Sequence, residues 1–211
     1  EALQRFEEDA LRILRALRFA SVYGFEIEPA TARAMREKGG LLRHVSAERI
    51  QLELRRMLCG QGVRGALLGF PDVLGEVIPE ILPAVGFDQR NPHHDSDVWG
   101  HTARAVEAIE PEFALRLTML LHDLGKPRCF EMDADGTGHF YGHERHSVRI
   151  AERVLAHLRC DNKTQARVLL LVPIHGQIPE PTRRRITRQL NQIGPDALRD
   201  LLRVQRADTL A

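Results

Sequence analysis

The chain has 211 residues, 43% of them hydrophobic and 28% charged, which is enough to bury a core and rules out a disordered or fibrous chain. Its formal charge is +1, so no whole-chain field draws it to nucleic acid or membrane, although a local basic patch remains open. No apolar run reaches the roughly 18 residues of a membrane span, and no signal peptide is present. Cys59, Cys129 and Cys160 are isolated, which argues against a disulfide framework and for a reducing, cytoplasmic setting.

The first stretch, Leu3 to Tyr23, has apolar residues at helical spacing and ends at Gly24. Pro29 opens a second helix that stops at Gly39-Gly40. Ser46 suits the N-cap of a helix from Ala47 to Leu58, followed by Gly60 and Gly62. Residues 63–86, broken by Pro71, Pro79 and Pro83, read as small helices and turns. Asn91-Pro92 marks a loop and a domain boundary, dividing the chain into 1–90 and 91–211. A helix runs from Asp97 to Glu110, and the most apolar helix from Phe113 to Leu124. Residues 128–142 read as a hairpin turning at Asp133-Ala-Asp-Gly. Helices follow at about 143–158, 163–174, 182–193 and 196–209. Strand signal is confined to the hairpin, so the fold class is all-α.

The ten histidines include several at helix ends. His122-Asp123 closes the most apolar helix, whose burial makes that end a rigid platform. Neighbouring helical residues point about 100° apart, so a tandem pair converges on one ion only at a helix end or when the ion sits between them. His101 lies near the start of the preceding helix. The short link at Pro111 makes the two helices antiparallel, so His101 and His122 should meet. His143 starts a later helix, His175 ends another, and Asp208 lies near the end of the last. Imidazole with carboxylate suits Zn, Mn, Fe, Ni or Co better than Ca. The set His101, His122, Asp123 and Asp208 leaves room for water. Asp123 can bridge to a second ion held by His143 and His175, and two such ions would clamp a phosphate. His93, His94 and His139 read as loop and hairpin residues, and Asp133-Ala-Asp-Gly as a turn, because it lacks the later Glu of a calcium loop.

In this order, His101, His122-Asp123 and Asp208, with Leu120-Leu-His-Asp-Leu-Gly-Lys-Pro127, the chain resembles the HD phosphohydrolase superfamily. The resemblance implies phosphoester hydrolysis at one or two divalent ions, Mg included, with His122 and Asp123 at the reacting centre. It also gives Lys126 a phosphate oxygen to neutralise and places Glu144 beside His143 in support.

At the other end, Asp9 and Arg12 are three residues apart and should share a helix face. A carboxylate and a guanidinium together match the edge of cytosine or adenine; the plainer alternative is a surface salt bridge. Glu8-Asp9-x-x-Arg12, Arg15-Ala-x-Arg-Phe-Ala20 and Val45-Ser-Ala-Glu-Arg-Ile-x-x-Glu-Leu54 resemble class II tRNA nucleotidyltransferases, the CCA-adding enzymes and bacterial poly(A) polymerases. Asn91-x-x-His94, Asp97-Val-Trp-x-His101 and His139-Phe-Tyr-Gly-His-Glu144 are similar to the HD-bearing members. The resemblance implies that Asp9 and Arg12 template incoming CTP and ATP and that the partners are tRNA and nucleotides. Arg183-Arg-Arg-Ile-Thr-Arg188 and Arg55-Arg56 are the candidate tRNA grips. No Gly-Ser followed by Asp-x-Asp occurs, so nucleotidyl transfer is not expected of this chain alone; a missing N-terminal catalytic head is expected to perform it. The competing readings are a tRNA-binding module with a degenerate HD site and a free-standing HD nucleotidase.

Overall fold

The computed structural model describes residues 1–90, 96–177 and 182–211. The chain is all-α, with one two-stranded hairpin. The helices are α1 (Ala2–Glu8), α2 (Leu11–Tyr23), α3 (Pro29–Lys38), α4 (Ala47–Leu58), α5 (Val63–Gly69) and α6 (Pro71–Gly75). After the connector come α7 (Val98–Ala108), α8 (Phe113–Leu121), the strands β1 (Glu131–Met132) and β2 (Gly138–His139), then α9 (His143–His157), α10 (Asn162–Leu171) and α11 (Arg183–Thr209). Asn91-Pro92, His93 and His94 lie outside the described residues.

The expected single helix over Leu3–Tyr23 is two helices. Asp9 leaves helical geometry at φ −152°, and its Oδ1 accepts a hydrogen bond from Leu11 N at 3.2 Å. An Asp that bonds the backbone two residues on competes with helix continuation and starts a new N-terminus. Asp9 is therefore not on a helix face shared with Arg12. Gly24 ends α2 in the left-handed region, as a glycine there can.

α2 turns Ile13, Leu14 and Leu17 onto Ile50, Leu54 and Met57 of α4, all buried. Ser21 Oγ donates to Met57 O at 2.6 Å, and Gly62 N donates to Ser21 O at 2.7 Å. At Gly60 a Cβ would overlap Ser21, so only glycine lets these segments meet. α8 is buried at all nine of its residues, as befits a helix apolar nearly all round. It ends at Leu121, so His122-Asp123 occupies the turn just beyond rather than the helix itself.

One hydrophobic core runs from Phe6 to Ala207 through both parts of the chain. Two polar ties cross it. Trp99 Nε1 donates to Leu67 O at 3.2 Å. The buried Arg116 guanidinium donates to Leu58 O at 2.5 Å, Gly60 O at 2.7 Å and Ile109 O at 3.4 Å. Burial pushes its pKa down, because the charged guanidinium has lost water. The connector before residue 91 lies against the hairpin, where Gly138 N donates to Arg90 O at 2.8 Å. Phe87, Phe130 and Phe140 pack edge-on or tilted beneath it. α11 is interrupted at Gly194 (φ 81°, ψ 167°), just before Pro195, which is why the sequence reads as two helices there.

Candidate metal centre

Five elements deliver side chains to one buried point: the start of α7 (His101), the turn after α8 (His122, Asp123), the start of α9 (His143), the turn after α10 (His175) and the end of α11 (Asp208). The antiparallel arrangement of α7 and α8 brings the His101 and His122 rings to 5.5 Å between centroids. Gly125 allows α9 to approach, since a Cβ there would overlap His143 O and lie 2.7 Å from Ser147 N. Ser147 Oγ accepts from Gly125 N at 3.0 Å, fixing that crossing.

Asp123 is at the middle. Its Oδ2 faces His122 Nε2 at 3.4 Å and His101 Nε2 at 3.6 Å. Its Oδ1 faces His143 Nε2 at 3.3 Å and His175 Nε2 at 3.6 Å. Asp208 Oδ1 lies 2.9 Å from His101 Nε2 and 3.2 Å from His122 Nε2. His143 and His175 face each other, Nε2 to Nε2, at 3.3 Å. Within three overlapping groups of these residues, one donor atom from each lies within 4.8 Å of the others.

Three of the rings are oriented in the same way. Nδ1 donates to the carbonyl three residues back: His122 to Met119 O at 2.6 Å, His143 to Phe140 O at 2.9 Å and His175 to Val172 O at 2.7 Å. A carbonyl demands a donor, so the proton of each neutral ring sits on Nδ1 and the Nε2 lone pair points inward. Lone pairs of imidazole and carboxylate aimed at one another repel unless a cation or protons lie between them. His122 Nε2 and Asp123 Oδ1 are buried with no hydrogen-bond partner. Such orphaned acceptors fit a divalent ion, and the mixed N/O donor set suits a transition ion.

The electrostatics favour carboxylates held as anions. Burial opposes ionisation of Asp123, but the neighbouring His122, Lys126, His143 and His175 outweigh it and hold the carboxyl well below the usual range. Asp208 is likewise lowered: burial acts against it, and its hydrogen bond with His101 and the nearby His122 prevail. Burial acts to lower the His175 pKa, yet its hydrogen bond to Asp123 leaves it raised.

Lys126 Nζ lies 2.7 Å from Asp123 Oδ2, over the Phe140 ring, and donates to Gln89 Oε1 at 2.9 Å. Gln89 is buried and anchored in turn by Nε2 to Ser96 O at 3.1 Å. Nothing in the sequence singled Gln89 out, because a lone Gln in a connector carries no spacing signal. Glu144 Oε2 is 3.8 Å from His143 Nδ1, close enough for charge but not a hydrogen bond. His139 stays outside the cluster, paired with Asp133 at 3.0 Å.

Asp9 and Arg12 do not pair with each other. Arg12 bonds Glu8 at 2.8 Å and Arg5 O at 3.1 Å, and Asp9 lies 3.3 Å from Arg49 of α4. Arg49 stands in the Val45-Ser-Ala-Glu-Arg segment, so that segment and the Asp9 segment share one exposed place. Arg183, Arg184 and Arg188 are exposed on the first turns of α11, whereas Arg55 is engaged by Asp161 at 3.4 Å.

The helical fold aligns over 100% of this chain, and 45% of the other, with a crystal structure of the Bacillus stearothermophilus CCA-adding enzyme in complex with CTP, at TM-score 0.64 and 24% identity. A family model described as a probable RNA and SrmB-binding site of polymerase A matches residues 24–68. An A-adding tRNA nucleotidyltransferase of Deinococcus radiodurans is 32% identical over 209 residues, covering 90% of this chain and 47% of that protein. A CC-adding tRNA nucleotidyltransferase of Thermus thermophilus is 34% identical over 220 residues, covering 97% and 50%. Together these matches support a fragment of a class II tRNA nucleotidyltransferase. The chain spans about half the length of these curated relatives.

Proposed function

We propose that this chain is the part of a tRNA CCA-end nucleotidyltransferase that selects the incoming base, holds tRNA and carries a metal-dependent phosphohydrolase site of the HD type. Residues 1–90 are assigned to nucleotide and RNA recognition and residues 91–211 to the hydrolytic site. The nucleotidyl transfer step belongs to a part of the family's proteins outside this stretch. No helix among the described residues is long and apolar enough to cross a membrane, and the setting is taken as cytoplasmic.

The observation that carries the hydrolytic reading is the double-faced Asp123, one oxygen toward His101 and His122 and the other toward His143 and His175. That is the disposition a bridging carboxylate needs. His101, His122, Asp123 and Asp208 would hold one divalent ion, and Asp123, His143 and His175 a second. Bound ions of this kind supply hydroxide at neutral pH and neutralise phosphate oxygens. The chain's own part is to aim the Nε2 atoms by backbone carbonyls, keep both carboxylates ionised, and present the Lys126 ammonium where an anionic phosphoester would sit. The substrates are nucleotides or RNA ends.

For base selection, Asp9 and Arg12 are proposed to read the amino-bearing edges of CTP and ATP. Arg12 would have to leave Glu8, an exposed pair whose disruption costs at most about 1 kcal/mol. Exposed Arg183, Arg184 and Arg188 suit phosphate contact.

The experiment is metal analysis of the purified chain, then hydrolysis of a 2′,3′-cyclic nucleotide with added Ni²⁺, Mn²⁺, Co²⁺ or Mg²⁺. One or two ions per chain with turnover, both lost in Asp123→Ala, is the expected result. A chain that takes up no ion and turns nothing over would leave the histidines architectural and reduce the function to RNA and nucleotide binding.

A further inference from the structure

On the surface of the N-terminal half, the rings of Phe19, Tyr23 and Phe25 form an exposed column. Phe19 and Tyr23 are 5.8 Å apart at 23°, and Tyr23 and Phe25 are 5.5 Å apart at 30°. The Arg18 guanidinium sits 4.3 Å from the Phe19 ring centre. Tyr23 is 62% exposed and Phe25 64%, an expensive placement for aromatic rings with no role at the surface.

The column ends at a cleft of about 460 Å³. Phe25 and Phe70 are its aromatic residues, and Gly62, Gly65 and Ala66 are small ones that leave it open. Phe70 has the Arg36 guanidinium 4.8 Å from its ring centre. Glu26 also lines the cleft. At Gly65 an added Cβ would meet nothing within 4 Å, so the space above that residue is empty rather than packed.

We propose that this cleft is a slot for an unpaired nucleobase of an RNA strand, with the Phe19–Tyr23–Phe25 column continuing the stack. The inference rests on the RNA-binding part of the proposed function and adds a place and a chemistry to it. Four observations favour a base over a protein knob. Phe19 and Tyr23 are stacked and Phe25 is tilted 30° from Tyr23, with Phe25 64% exposed, so the column ends in a ring that another flat ring can cover. Arg36, which also pairs with Asp72 at 3.0 Å, lies against the Phe70 ring that lines the slot, and Arg18, paired with Glu53 at 3.1 Å, lies against Phe19 at the far end of the column. Most of the lining falls in the 24–68 stretch that matches an RNA-binding family model. The one lining carboxylate, Glu26, accepts hydrogen bonds, so it suits an amino edge better than uracil, whose single N3–H donor is flanked by two carbonyls that a carboxylate repels.

The test is equilibrium binding of three fluorescein-labelled single strands of equal length, oligo(A), oligo(U) and an abasic strand. Phe25→Ala and Gly65→Leu are compared with the unaltered chain. Leucine at 65 places its Cβ in open space, extends into the slot and improves helix propensity, and a melting curve checks that the variant is as stable as the parent. Both variants are expected to weaken oligo(A) roughly tenfold or more, to leave the abasic strand unchanged, and to narrow the gap between oligo(A) and oligo(U); Phe25→Tyr should bind like the parent. If the chain binds RNA but both variants bind every strand as the parent does, the slot is wrong and the RNA reading stands. If the variants change only self-association, the cleft is a protein contact and the slot is wrong. If the parent binds none of the strands, the slot falls together with the RNA reading.

Discussion

His101, in the first turns of α7, meets Asp208, one residue before the end of α11, with Nε2 and Oδ1 2.9 Å apart. This contact closes the bundle over His122 and completes the first set of candidate ligands. Asp208→Ala should therefore keep the helical content and lower affinity for Mn²⁺ or Ni²⁺ by at least the 10–100-fold (order of magnitude) that loss of a supporting partner costs. A calorimetric titration checks it; an unchanged affinity would remove Asp208 from the ligand set.

Asp123 offers a different oxygen to each side, so the two halves of the cluster should be separable. His143→Ala is expected to reduce the metal content by one ion and spare the site at His101 and His122. Native mass spectrometry of the loaded chain reads the stoichiometry. Equal loss of all metal in His143→Ala and Asp123→Ala would mean a single shared site.

Protons compete for the same cluster. Asp123 and Asp208 both lie below their ordinary range, so the folded chain binds fewer protons than the unfolded one in mild acid. Their stabilisation is complete above about pH 4 and is lost as the pH falls through their lowered folded values. His175 runs the other way: its pKa is raised, so its contribution is present below about pH 6.5 and fades as the pH rises through its folded value. Melting temperatures of the metal-free chain from pH 2 to 8 should show both limbs, and Asp208→Asn should have the shallower acid limb. Superimposable acid limbs would contradict the assignment.

Gly125→Ala tests the close approach of α9. A Cβ at this position overlaps His143 O, so α9 must shift and carry His143 with it. The cost should be about 1–3 kcal/mol of stability, accompanied by weaker metal binding. Urea unfolding with and without Mn²⁺ measures both; a variant as stable and as metal-avid as the parent would show that the crossing has slack.

Arg116→Met removes the three bonds to Leu58 O, Gly60 O and Ile109 O. Buried carbonyls left without donors cost about 1–3 kcal/mol each at most, so a loss of about 2–4 kcal/mol is expected. Because the core is continuous, the parent should unfold in one urea transition. Two transitions already present in the parent would show that the halves are independent and that Arg116 does not join them.

Much of this protein is legible along the chain. Periodicity and breakers place α3 and α4 within a residue, since Pro29 and the following glycines act locally; Ser46 stands at the N-cap of α4, but its side chain makes no capping bond. The ordered histidines and aspartates mark the cluster because helix ends recur at His122, His143 and His175. The break at Asp9 escaped because a helical apolar pattern continues through it, while one side-chain bond to Leu11 N decides the backbone. What the sequence by itself determined is therefore the set of elements and the residue types at their ends. Only the tertiary structure decided which oxygen of Asp123 faces which histidines, that Gln89 holds Lys126, and that Phe25 and Phe70 share a cleft. Those relations depend on packing between residues far apart in the chain, and no local rule of propensity or spacing carries the distance between them.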